Sequence, residues 1–155
     1  MDFPVWKTVG IGELNGFRAL LSLRACSKFA VWVDWDLITY VKFESTPRRI
    51  NLALVSLQEL GVTVPSSYGD ICYEAMQQGL RLCPAEVAIS LMIQERGELC
   101  IPAERNSFLG GVHVGMLPIM YEDQALVFRI GGSSLRGSDT SHFARNDGSL
   151  VFALD

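Results

Sequence analysis

The chain predicts an α+β fold on three observations. Residues 66–94 carry two amphipathic helical stripes joined by a very short corner. After Gln94 the sequence breaks into short apolar runs separated by Gly, Ser, Asn and Asp clusters, the texture of antiparallel strands and hairpins. Before Leu60, alternating strand patterns mix with brief helical ones. The expected architecture is therefore a mixed N-terminal strand and helix part, a central helix pair and a C-terminal antiparallel β-sheet. A length of 155 residues suits a single domain, 1–155. The alternative is a division into a mixed part, 1–95, and a β-rich part, 96–155.

The elements follow in order. Val5 to Ile11 reads as a short strand closed by Gly10 and Gly12. Leu14, Phe17, Leu20, Leu21 and Arg24 fit an amphipathic helix despite Gly16. Val31, Val33 and Trp35 alternate, so a strand followed by a short turn or helix is expected there. Thr46-Pro47 breaks the chain. Ile50, Leu52 and Leu54 then alternate as a strand, followed by one helical turn at Leu57 to Leu60.

In the helix pair, Ser66 or Ser67 can act as N-cap, and Asp70 suits the positive end of the helix dipole. Tyr68, Ile71, Cys72, Ala75 and Met76 form the first stripe, and Gly79 can stop the helix in a left-handed conformation. Leu80 to Leu82 make a brief extended link. Pro84 opens the second helix, Glu86 sits in its first turn, and Val87, Ala88, Leu91 and Met92 form its stripe. The two helices should pack on each other or on a shared sheet.

Beyond them, strands are expected within Leu99–Ile101, Val112–Met120, Ala125–Ile130 and Leu150–Leu154. Gly110-Gly111 and Gly131-Gly132 read as tight turns, since neither has the Lys-Ser/Thr and strand-to-helix setting of a phosphate loop. Residues 131–149 are the most loop-like part, and Asn146-Asp147-Gly148 is a hairpin signal.

The string Gly79-Leu80-Arg81-Leu82-Cys83-Pro84-Ala85-Glu86-Val87, with Leu60, Gly61, Ile71 and Ala75 before it and Cys72 where the group usually has Tyr, resembles a group of small uncharacterised bacterial proteins that share a Gly-Leu-x-Leu-Cys-Pro-Ala-Glu-Val helix corner. The likeness continues more loosely through Gly115–Ile119, Leu126–Ile130 and Leu150–Leu154. It departs after Val87, where the group runs Gly-Pro and then a basic segment. Here Ala88 to Met92 are largely apolar, so that basic surface is absent. The resemblance implies a shared fold and carries no activity.

Composition narrows the function classes. An apolar content of 49% with 19% charged residues describes an ordinary globular chain, and a net charge of −4 argues against a broad nucleic-acid surface. The helix pair is no DNA reader either: its second helix offers Glu86, Ser90, Gln94 and Glu95, with no base before Arg96. No apolar run approaches the roughly 20 residues that span a bilayer. The opening Met-Asp-Phe-Pro-Val-Trp-Lys lacks the pattern of a secretion signal, so a cytoplasmic location without a membrane partner is expected. Cys26, Cys72, Cys83 and Cys100 show no metal-ligand spacing, which points to free thiols in a reducing compartment and to no metal or cofactor.

Three groups of residues could carry function. Cys83 directly precedes a helix beginning Pro-Ala-Glu, where the dipole lowers a thiol pKa, and His113 or His142 could serve as its base. That arrangement would make a small cysteine-dependent hydrolase or transferase. Packing of Cys83 under the corner is the competing reading. The polar stretch Ser138, Asp139, Ser141, His142, Arg145, Asn146 and Asp147 could hold a polar ligand or, with His113 or Asp123, a metal, although solvated turns share this composition. Trp32 and Trp35, the latter between Asp34 and Asp36, would make an adhesive surface if exposed.

The first expectation is thus a non-enzymatic protein-interaction or self-associating module. It would contact a protein partner or its own copy through Trp32, Trp35, Asp139, His142 and Arg145. The cysteine enzyme is the alternative. A sugar or small-molecule pocket in the C-terminal sheet ranks third, because Tyr121 and phenylalanines are the aromatics that segment offers.

Overall fold

The computed structural model describes residues 2–26, 32–62, 66–105, 111–145 and 148–154. Its helices are α1 (Gly16–Ala25), α2 (Trp35–Ile38), α3 (Leu57–Leu60), α4 (Tyr68–Gln77) and α5 (Glu86–Gln94). Its strands are β1 (Lys7–Ile11), β2 (Trp32–Val33), β3 (Arg48–Ser56), β4 (Val112–Val114), β5 (Ile119–Tyr121), β6 (Gln124–Gly131), β7 (Ser134–Asp139) and β8 (Ser149–Ala153). Short 3-10 segments cover Ala103–Arg105 and Thr140–Arg145. The fold is α+β, as the patterning predicts.

All eight strands join one sheet in the order β1-β3-β8-β4-β6-β7-β2, with β5 paired to β6. The C-terminal strands pair antiparallel around β6, which takes β4, β5 and β7 as neighbours. Two parallel pairings, β4 with β8 and β2 with β7, make the sheet mixed. Strands from the N-terminal third occupy both of its ends.

α5 packs against the sheet. That helix touches β1 and also β6 and β7. Residues Glu86 to Met92 are accordingly buried on every side of α5, with α1 closing over it. α4 and the 3-10 segment at Thr140–Arg145 pack together beside the sheet, where Tyr68 and His113 both set their rings edge-on to Phe143. With cover on both faces, all five residues of β8 are buried, as in a strand at the centre of a layered domain.

Local chemistry sets the boundaries. Ser67 is the N-cap of α4, its hydroxyl accepting from the Asp70 N–H at 3.1 Å, and Gly79 stops the chain at φ +90°. Asn15 caps α1, and Ser56 with Glu59 forms a capping box on α3. α4 packs on α3 and the 3-10 segment at Thr140–Arg145, whereas α5 lies on β1, β6 and β7; between the helices, Arg81 bridges antiparallel to Ala153 at the end of β8.

One stretch departs from its sequence reading. Residues 134–139, expected as loop, form β7. The strand is spelled with small residues because its neighbours come close: a Cβ on Gly137 would lie 2.9 Å from Leu37 Cδ2. Gly132 and Ser133 make the tight turn that joins β6 to β7. Of the expected strand at Leu99–Ile101, only a single bridge from Leu99 to Gly132 forms. The hairpin signal at Asn146-Asp147 lies outside the described residues.

Candidate functional site

The corner motif is consumed by packing. The Cys83 N–H donates to the Gly115 carbonyl at 2.7 Å, and its thiol points to the Val151 carbonyl at 3.7 Å. Only 3% of Cys83 is exposed, and burial pushes its thiol up to about 12. His113, expected as a base, has Nε2 at 2.9 Å from Ser138 Oγ. Burial, with the Arg129 charge adding to it, lowers that imidazole to about 4. Proton transfer from such a thiol to such a ring runs far uphill. The structure thus places the Cys83 thiol against the Val151 carbonyl and the His113 ring against Ser138 Oγ, and α5 begins at Glu86, three residues past the cysteine. The backbone of His142 lies in the 3-10 segment Thr140–Arg145, while its side chain is outside what is described.

Glu86, expected only to complement the helix dipole, does more. Its carboxylate is fully buried and accepts from two distant backbone groups, the Gly12 N–H at 2.9 Å and the Glu44 N–H at 2.8 Å. It thereby fastens the end of β1 and the chain after α2 to the start of α5. Gly12 is needed at this junction: its φ is +93°, and a Cβ would fall 2.1 Å from the Thr46 carbonyl oxygen.

The parallel pairing of β2 with β7 gathers part of the expected binding set. Trp35 from the N-terminal third and Asp139 from the C-terminal part line one cleft of about 610 Å³, together with Asp34, Asp36, Tyr121 and Gln124. Asp34 Oδ2 accepts from the Gly137 N–H at 2.7 Å, which holds residues 33–37 against β7. Asp139 accepts from the Ser141 N–H at 2.9 Å and from Gln124 Nε2 at 3.4 Å. Tyr121 donates to Asp36 at 3.4 Å and meets Tyr40 edge-to-face, with ring centroids 5.6 Å apart. Arg24 stacks over the Trp35 ring at 5.2 Å. The field in the cleft is negative: the Glu122 charge first, then burial and the Asp36 charge, hold the Tyr121 phenol above its ordinary value. Among the described residues no cluster of three His, Cys, Asp or Glu side chains is placed to hold a metal. Trp32 pairs through its backbone with Ser134, and Arg145 ends the 3-10 segment; the side chains of both lie outside the described residues.

A second cleft, of about 1050 Å³, was not foreseen from the sequence. It is lined by Lys42, Arg48, Arg49 and Arg81 together with Leu82, Pro84 and Leu154, and among the described residues Glu44 is its one carboxylate. Glu44 forms a two-point ion pair with Arg48, both bonds at 2.8 Å. A chain of net charge −4 thus carries a locally basic cleft. The adjacent Arg48-Arg49 was the sequence signal available, but Lys42 and Arg81 reach it only through the fold. Exposed apolar side chains stand on the segments that line the two clefts: Tyr40 is 57% exposed, Leu117 74% and Met120 65%. No helix among the described residues is long and apolar enough to cross a membrane.

Compared with known proteins, the chain matches no family model, no curated protein and no solved structure.

Proposed function

We propose that this chain is a small cytoplasmic, non-enzymatic protein-interaction module that engages a basic and apolar partner surface through the Trp35–Asp139 cleft and the exposed side chains beside it. The observation that carries the reading is the convergence of Asp34, Trp35, Asp36, Tyr121 and Asp139 on one cleft next to exposed Tyr40 and Met120. Exposed apolar groups rimmed by charge are a common form of contact surface. Four free cysteines, one of them exposed, support a reducing compartment. The likeness to the small bacterial group belongs to the same reading. Within the corner motif Gly79, Cys83 and Glu86 take turn, packing and clamp roles in this chain.

The test is Trp35 fluorescence in dilute protein titrated with a peptide of alternating arginine and leucine, with Trp35→Phe as the blank. A saturable change that is lost in Asp36→Lys supports the reading. No change, or one indifferent to Asp36→Lys, sinks it.

The small-molecule reading gains one observation, because Trp35 joins Tyr121 in the cleft and supplies the second aromatic that a sugar would stack on. One face of Trp35 is already taken by Arg24. Titration of the same fluorescence with simple monosaccharides decides it: a saturable response favours a sugar site, and a flat one removes it.

A further inference from the structure

We infer that the partner of this face is a second copy of the chain, seated by a twofold rotation that sets the basic cleft of each copy against the acidic cleft of the other. This rests on the interaction reading above and names its partner.

The layout of charge and apolar surface is the basis. Residues 33–37 and Tyr121 line the acidic cleft, while Lys42 to Glu44 and Leu117 line the basic one. The segments 33–44 and 117–121 therefore run from one cleft into the other. Tyr40 and Met120 stand on these connecting segments, more than half exposed, and Tyr40 packs against Tyr121 across them. In the arrangement we infer, the two clefts open on one face, with these apolar side chains in the middle, the cations of one cleft on one flank and the carboxylates of the other on the second. A half-turn exchanges the flanks, so such a face is complementary to itself. A face of one sign would instead repel its own copy. Twofold closure uses both clefts of both copies, which leaves no unmatched cleft from which a filament could grow.

The experiment is light scattering after size exclusion on the full chain, across a concentration series at low and high salt. The expected result is a mass of two chains that falls to one on dilution, with a midpoint that high salt moves to higher concentration. Lys42→Glu with Arg49→Glu, and separately Asp36→Lys with Glu122→Lys, should each weaken the dimer by about tenfold or more. An equimolar mixture of the two variants should return the midpoint close to that of the natural chain, because opposite charges then face each other again. Recovery on mixing also shows that both variants are folded. A chain that stays single at every concentration, yet still binds the arginine-leucine peptide at Trp35, overturns the self-partner and leaves the interaction reading standing. A single chain that binds no peptide overturns both. A dimer indifferent to both pairs of substitutions, or a mass that grows past two chains, overturns this twofold arrangement.

Discussion

At the scale of single residues, Glu86 is the side chain whose loss should be felt most. A buried carboxylate that accepts two backbone N–H bonds leaves both donors without partners when it is removed. Glu86→Gln turns one acceptor into a donor facing a donor, and is expected to destabilise by about 2–4 kcal/mol in urea unfolding. His113 makes stability depend on pH. Its folded pKa of about 4 lies below the ordinary 6.5, so its contribution is complete above about pH 6.5 and is lost as pH falls toward 4. Thermal melts of the natural chain and His113→Gln between pH 7 and 4 check this, and the variant should lose less stability over that range. Thiol labelling separates the cysteines by burial. Exposed Cys100 should react at once, whereas Cys83 and Cys72 wait for unfolding. Fast labelling of Cys83 in the folded chain would favour the enzymatic reading.

At the scale of elements, turns and close approaches decide where strands begin and end. The β5–β6 turn places both Glu122 and Asp123 at positive φ, +48° and +63°, the conformation of a two-residue type I′ hairpin. Glycine fits the second position better, so Asp123→Gly is expected to stabilise by about 0.5 kcal/mol, read from the shift of the urea midpoint. Gly115 is the opposite case. A Cβ there would lie 2.2 Å from the ring of fully buried Phe152, and Gly115→Ala should cost about 2–3 kcal/mol in the same measurement. β7 was hidden in the sequence for a related reason. Its Ser-Leu-Arg-Gly-Ser-Asp reads as loop because small residues weaken a strand pattern, yet those residues let Leu37 and Asp34 press against it.

At the scale of the whole molecule, the parallel β2–β7 pair is what turns scattered residues into a surface. It brings Asp34 to the Gly137 amide and so places Trp35 beside Asp139, about a hundred residues later in the chain. Asp34→Ala should loosen this junction. Hydrogen exchange at the Gly137 amide would then speed by about tenfold or more, with little change at the amides of β8. Equal acceleration throughout the sheet would mean that Asp34 supports global stability instead.

Local pattern was enough for the α+β class, the stop of α4 and its cap to within one residue, the single turn of α3 and the strands β1, β3, β6 and β8. Each rests on local chemistry: a hydroxyl at an N-cap, a glycine at positive φ, or an apolar period of two or near four. Only the assembled fold made β7 a strand and Glu86 a clamp, whereas the burial of Cys83 was already suggested by its apolar neighbours. The assembled fold also decided that Trp35 and Asp139 share a cleft and that Lys42 and Arg81 share another. These depend on which strands become neighbours and on what is then stripped of water. Strand order and desolvation are long-range properties, and no short window of residues carries them.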